Sequence, residues 1–353
     1  MKNFHWFVLF IFLFPIFSFS HGEISSPTKK ITILATGGTI AGSGDSKTKA
    51  AYTAGEIPIE DLLNAVPEIH SKAIIKGEQF SNIGSQDMDI NTLLKLSRRI
   101  NEIFKNEEAD GIVITHGTDT MEETAYFLSL TLHFDKPVVL VGAMRPATAI
   151  SQDGNKNLLD AVSVAAAPET ENKGVLVVMN EFIFDARSVE KTSTTNTSAF
   201  QSPNFGPMGM IFDGKVSFYY EPIRNSLKRF DVRELETLPR VDILYGYIEA
   251  DPKMIDFAVE QNAEGIVYAG VGNGNFSKAV ESALSKSVEK GVVVCRSSRI
   301  EKGKVTLENE VDDKGLGFIV SDDLNPQKAR ILLMLALTKT KDKEELQKIF
   351  FSY

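Results

Sequence analysis

Gly111-Ile112-Val113-Ile114-Thr115-His116-Gly117-Thr118-Asp119-Thr120-Met121-Glu122-Glu123 is the stretch whose reading decides the fold class. It opens as a β-branched apolar run, breaks at a glycine among hydroxyls, and passes into acids that begin an amphipathic stretch over 121–132. A strand covered on both faces reads as a continuous apolar run, and acids suit the first turn of a helix because of the backbone dipole. The same pattern recurs along the chain. Strands are predicted over 31–35, 111–115, 137–144, 174–180, 242–247, 265–269 and 291–295, with helices over 92–104, 121–132, 158–167, 252–262 and 276–289. This alternation predicts an α/β architecture with a largely parallel sheet. The rhythm lapses between about 218 and 240, a charged stretch carrying Pro222 and Pro239. A linker over 220–240 is therefore predicted, between a larger N-terminal domain (30–219) and a smaller parallel α/β C-terminal domain (241–353).

The N-terminus has a different composition. Lys2 precedes an unbroken apolar run from Trp6 to Phe17, followed by Ser18-Phe19-Ser20. The run is shorter than the roughly 20 apolar residues that span a bilayer, and small residues at 18 and 20 suit signal-peptidase cleavage. Residues 1–20 are read as a secretory signal and 21–29 as a flexible segment. The expectation is an exported, periplasmic or secreted protein with no membrane attachment after cleavage. Across 353 residues the formal net charge is −9, and Lys and Arg are scattered. No basic stripe is available to neutralise phosphates, so a nucleic-acid partner is not expected. The single cysteine, Cys295, lies in an apolar run and reads as a small buried hydrophobe. The five histidines show no metal-ligand spacing, so no metal is expected.

In open α/β sheets ligands sit beyond the carboxyl ends of strands. Two such ends are rich in hydroxyls: Ala35-Thr36-Gly37-Gly38-Thr39-Ile40-Ala41-Gly42 and Thr115-His116-Gly117-Thr118-Asp119-Thr120. Each sets a Thr beside glycine, where the backbone turns sharply and offers N–H groups to an anion. A dinucleotide loop fits poorly. Gly42-Ser43-Gly44 continues as Asp45-Ser46-Lys47 with no third glycine, and Gly270-Val271-Gly272-Asn273-Gly274 lacks the spacing, so no cofactor is expected. Taken alone, Asp119 and Glu122 read as acids of a helix start, and His116 reads as structural.

Together these segments resemble the bacterial asparaginase/glutaminase family, in particular its exported type II branch, over about 30–353. Gly84-Ser85-Gln86-Asp87-Met88, Val141-Gly142-Ala143-Met144-Arg145-Pro146, Gly270-Val271-Gly272-Asn273-Gly274-Asn275 and Leu324-Asn325-Pro326-Gln327-Lys328-Ala329-Arg330 carry the same resemblance, in the same order. It implies an amidohydrolase acting on linear amides that converts L-asparagine to L-aspartate and ammonia, without a cofactor. Thr39 is then the nucleophile of an acyl-enzyme, with Tyr52, Thr118, Asp119 and Lys191 as its catalytic partners. Substrate contacts fall to Ser85, Gln86, Thr118 and Asp119. Asn275 and Glu310 are implied to complete the site from a neighbouring subunit of a homotetramer.

A Thr hydroxyl needs a base, and both Tyr52 and a Thr118–Lys191 pair can serve. Asp119 and Glu310 suit a substrate ammonium, and Ser85 a carboxylate. Residues 45–54 are expected to form a lid hinged at Gly42, Gly44 and Gly55. Where some exported relatives carry a disulfide, this chain has Phe104 (or Asn106) and Phe134. Gln86 resembles the asparagine-preferring members, although a dual-specificity glutaminase-asparaginase uses the same residues. An exported amino-acid-binding protein, also built from two α/β domains, is the alternative of a different class. It needs no nucleophile and releases no ammonia.

Overall fold

The computed structural model describes residues 28–42, 57–222 and 229–353. The predicted signal and the whole predicted lid (45–54), with Tyr52 and the hinges Gly44 and Gly55, lie outside them. Strand β1 (Lys30–Gly37) pairs in parallel with both β2 (Ile74–Ile83) and β3 (Gly111–Thr115), and β4 (Val138–Val141) and β5 (Val175–Met179) continue the parallel series. β6 (Phe182–Asp185), β9 (Gly209–Phe212) and β10 (Lys215–Phe218) extend the same sheet antiparallel, in the order β10-β9-β6-β5-β4-β3-β1-β2. Between them β7 (Glu190–Lys191) and β8 (Phe200–Gln201) form a separate two-stranded ribbon.

The apolar runs of the central strands are buried on both sides, with a period of two. Leu34, Ile112, Ile114, Leu140 and Val177 face one core with α2 (Ile90–Lys105) and α3 (Met121–Thr131). Ile33, Val113, Val139, Val141 and Leu176 face the other, with α1 (Ile59–Asn64) and α4 (Gly154–Ala166).

The second sheet is wholly parallel, in the order β11 (Val241–Tyr245), β12 (Gly265–Gly270), β13 (Val293–Ser298), β14 (Ile319–Val320). Helices α5 (Lys253–Glu260) and α6 (Lys278–Glu289) cover one face. After the short α7 (Asp313–Leu316), α8 (Pro326–Leu337) and α9 (Lys343–Ser352) pack on the other face, in a core shared with the first sheet. The fold is thus α/β, with a large, mostly parallel N-terminal sheet and a smaller parallel C-terminal one. Cys295 is fully buried on β13, and burial pushes its thiol pKa up, so the thiol stays protonated.

The stretch read from sequence as a linker is anchored to the core at points of its described part, while Asp231, Arg233, Glu234 and Glu236 stay exposed. Phe230 and Val232 are about 1% exposed in the shared core, and the Phe230 amide donates to the Leu130 carbonyl at the end of α3 (2.8 Å). At the positions that match a disulfide in some relatives, Phe104 and Phe134 meet edge to face, with centroids 5.7 Å apart. Lys136 lies 5.4 Å from the Phe104 ring. Among the described residues no helix is long and apolar enough to cross a membrane.

Candidate active site

Because β1, β2 and β3 are parallel neighbours, the turns after them emerge on one edge of the sheet. Thr36 ties two of these strand ends together by donating its hydroxyl to the Thr115 carbonyl (2.8 Å). The turns then close on one another through glycine. Gly38 has φ +81°, and a Cβ there would lie 2.3 Å from the Gly117 nitrogen; one on Gly117 would lie 2.5 Å from Ser85 Oγ. Only bare backbone allows the three loops to approach this closely. The contact places Thr39, in the short 3-10 turn Thr39–Ala41, against the loop that carries Thr118. Both threonines are buried, at 5% exposure.

Ser85 opens the 3-10 turn Ser85–Asp87 after β2. Its hydroxyl accepts the Asp119 N–H (3.2 Å), and its carbonyl accepts the Thr120 hydroxyl (2.7 Å). Lys191 reaches the same loop from the small ribbon. Its Nζ donates to Thr118 Oγ1 at 2.9 Å and to Asp119 Oδ1 at 2.6 Å. Thr118, Asp119, Lys191 and Ser85 are therefore one hydrogen-bonded cluster beside the Thr39 turn. Asp119 and Gln86 are exposed at its rim, and Gln86 Nε2 donates to Asp87 Oδ2 (3.4 Å) rather than into the cluster.

Asn275 and Glu310 lie with the second sheet. Asn275 bridges back to Val271 just after β12, and its side-chain amide donates to the Glu310 carboxylate. A fully buried ion pair holds the loops that present them. Arg296 on β13 forks onto Asp313 (Nε–Oδ1 2.5 Å, Nη2–Oδ2 2.7 Å) and donates to the carbonyls of Asn273 (3.0 Å) and Thr306 (3.1 Å).

His116 takes a structural role, as read from sequence. It is fully buried, with Nδ1 2.7 Å from the Gly117 carbonyl and Nε2 3.0 Å from Thr124 Oγ1. A carbonyl only accepts, so Nδ1 carries the proton and Nε2 accepts from Thr124. Burial, partly offset by the Gly117 carbonyl, lowers its pKa to about 4. Between that value and the ordinary 6.5, the unfolded chain binds a proton that the folded chain refuses. The neutral ring's contribution is complete above about pH 6.5 and is lost as pH falls toward 4, on the order of 3 kcal/mol in all. His116→Gln is expected to remove one proton's worth of slope from unfolding free energy against pH in that window. Denaturant titrations at several pH values measure it, and an unchanged slope contradicts the assignment.

Glu122 is the residue that sequence reading passed over. Read as a helix-start acid, it does stand in the first turn of α3, yet it is 4% exposed and hydrogen-bonded through both oxygens. The only signal in the sequence was its place in a motif that the family shares. Among the described residues no group of three or more His, Cys, Asp or Glu is arranged to hold a metal ion.

Comparison with known proteins bears on the whole chain. Residues 30–224 match the family model "Asparaginase, N-terminal" and residues 240–350 match "Glutaminase/Asparaginase C-terminal domain". L-asparaginase 2 of Escherichia coli K12 is 51% identical over 340 residues, covering 96% of this chain and 97% of that protein. A protein of Haemophilus influenzae named "Probable L-asparaginase periplasmic" is 52% identical over 322 residues, 91% of this chain and 92% of that one. The solved structure of a "Probable Cytoplasmic L-asparaginase" from Campylobacter jejuni superposes with a TM-score of 0.90 at 49% identity, over 92% of this chain and all of that one. With its two sheets, its clustered strand-end hydroxyls and these matches along nearly its full length, the chain belongs to the asparaginase/glutaminase family.

Proposed function

We propose that the chain hydrolyses L-asparagine to L-aspartate and ammonia with Thr39 as nucleophile. The observation that carries the reading is the Thr118–Asp119–Lys191 cluster, set beside the Thr39 turn by the Gly38–Gly117 contact. Thr39 Oγ bonds to the side-chain amide carbon as its proton passes to a base. The tetrahedral oxyanion falls among the backbone N–H groups of these glycine turns. The C–N bond then breaks, the nitrogen takes up a proton and leaves as ammonia, and water cleaves the resulting ester to restore the hydroxyl. Two groups can serve as the base: the Thr118–Lys191 pair, already in contact, and Tyr52.

Asp119, exposed at the rim, suits the substrate ammonium, while Ser85 and Gln86 correspond to the family residues that hold the α-carboxylate and α-amino groups. Asn275 and Glu310 complete the site from a neighbouring subunit of a homotetramer. The proposed organisation is a signal over 1–20, a segment over 21–29, domains over 30–219 and 241–353, and a connecting stretch over 220–240. With that signal the mature protein acts outside the cytoplasm.

The test is a steady-state ammonia assay on the mature protein. Asparagine is expected to exceed glutamine in kcat/KM by about 10- to 200-fold, since one methylene in such a pocket is worth only about 1–3 kcal/mol. Acetamide, lacking both charged groups, is expected to turn over negligibly. Acetamide turnover near that of asparagine contradicts the charged-cup reading, and binding of asparagine without ammonia release favours a solute-binding protein instead.

A further inference from the structure

The Glu122 carboxylate is buried, and its bonds lead to the cluster. Oε2 accepts the backbone N–H of Lys191 at 2.6 Å, and Oε1 accepts the side-chain amides of Asn325 (3.2 Å) and Gln327 (3.0 Å) at the start of α8. Lys191 lies on a strand of two residues, paired only with the equally short β8. The ladder is carried one residue further by the Thr192 N–H to the Ala199 carbonyl (2.8 Å), while the Lys191 N–H itself is held by the Glu122 carboxylate. Its ammonium end meets Thr118 and Asp119, immediately before α3, and its amide meets Glu122, in the first turn of α3. Both ends of Lys191 are thus referenced to one turn of chain.

We propose that Glu122 is the positioning residue that sets Lys191 Nζ against Thr118 Oγ1. The seating of α8, through Asn325 and Gln327, fixes Glu122 in turn. The inference rests on the reading of Thr118 and Lys191 as part of the catalytic machinery. It links the second sheet to the chemistry of the first, within one chain and independently of any neighbouring subunit.

The carboxylate offers acceptors on both sides, and all its partners are donors. Glu122→Gln keeps the shape but brings an N–H against the Lys191 N–H in one orientation of the amide, and in the other against the Asn325 amide, which cannot turn because its Oδ1 accepts the Lys328 N–H (3.0 Å). With Lys191 misplaced by a fraction of an ångström to an ångström, kcat on asparagine is expected to fall by about 10- to 100-fold, with KM within about twofold. Adding Gln327→Glu to that variant returns an acceptor facing the new amide donor. This double variant is expected to recover kcat to within about threefold of the parent, which a merely structural defect would not do. In a Lys191→Met background, Glu122→Gln is expected to change the residual rate by less than about twofold, because the two act as one unit. Should Glu122→Gln fold poorly, Gln327→Ala removes one donor from the partly buried end of the network and is expected to lower kcat alone, by about two- to fivefold.

Parent-like kcat in both Glu122→Gln and Gln327→Ala overturns the proposal, as does a loss that is fully additive with Lys191→Met. If Lys191→Met itself keeps the parent rate, the reading of the site fails and takes the proposal with it. Loss in Lys191→Met beside parent rates in the other two variants overturns the positioning role alone.

Discussion

Thr39→Ala is expected to lower ammonia release from asparagine by about 10⁴-fold while the protein stays folded. The substitution removes a hydroxyl and a methyl from a buried 3-10 turn and leaves the backbone of that turn able to close as before. Its cost to stability should be about 1 kcal/mol, the ordinary size for a single substitution. Gly38 and Gly117, which bring the turns together, are unaffected, so the Thr118–Lys191 contact should persist. Substrate binding should therefore survive the loss of turnover. A kcat within about tenfold of the parent, measured by ammonia release on protein of parent-like circular dichroism, would assign the chemistry to another group.

Asp313→Ala is expected to cost about 3–5 kcal/mol of stability, because it strands a buried guanidinium. Arg296 is 1% exposed and Asp313 is fully buried; the aspartate also accepts the Glu308 N–H at 2.9 Å. The loops they join carry Asn273 to Asn275 on one side and Thr306 to Glu310 on the other. Loss of the pair should loosen the Asn275–Glu310 contact and lower activity before global unfolding. The double replacement Arg296→Met with Asp313→Leu removes both charges and should recover most of the stability. Denaturant midpoints of the three proteins decide this, and an Asp313→Ala midpoint equal to the parent's would contradict it.

The parts of the fold legible in the sequence are those whose burial forces a simple pattern. β3 is predicted over the residues it occupies, because both its faces are covered and its central positions, Ile112 to Ile114, are all apolar. β2 escaped for the opposite reason. At the sheet edge it reads Ile74-Ile75-Lys76-Gly77-Glu78-Gln79, half exposed and without a period. The hairpin joining β5 to β6 turns on Asn180 and Glu181, both at positive φ (52° and 67°), where the usual signal would be Asn-Gly. Asp213-Gly214 between β9 and β10 is that kind of signal and was there to be read. α8 is buried nearly all round between the two sheets, so it shows no polar face by which to recognise a helix.

The site divides in the same way. The glycine turns after β1 and β3 mark themselves by composition, since close backbone approach demands glycine. Lys191 carries no local signal. Its side chain reaches Thr118 only because the chain turns back through β6 and the β7–β8 ribbon, and that path depends on contacts distant in sequence. Glu122 was visible as a helix-start acid, but its partners Asn325 and Gln327 lie two hundred residues further on.

The most direct test of the central claim is mass spectrometry of the protein quenched during slow turnover of asparagine. An aspartyl ester on the peptide containing Thr39, absent from Thr39→Ala, is the result expected. Continued ammonia release with no adduct at Thr39 under any quench would contradict the acyl-enzyme and point to direct attack by water.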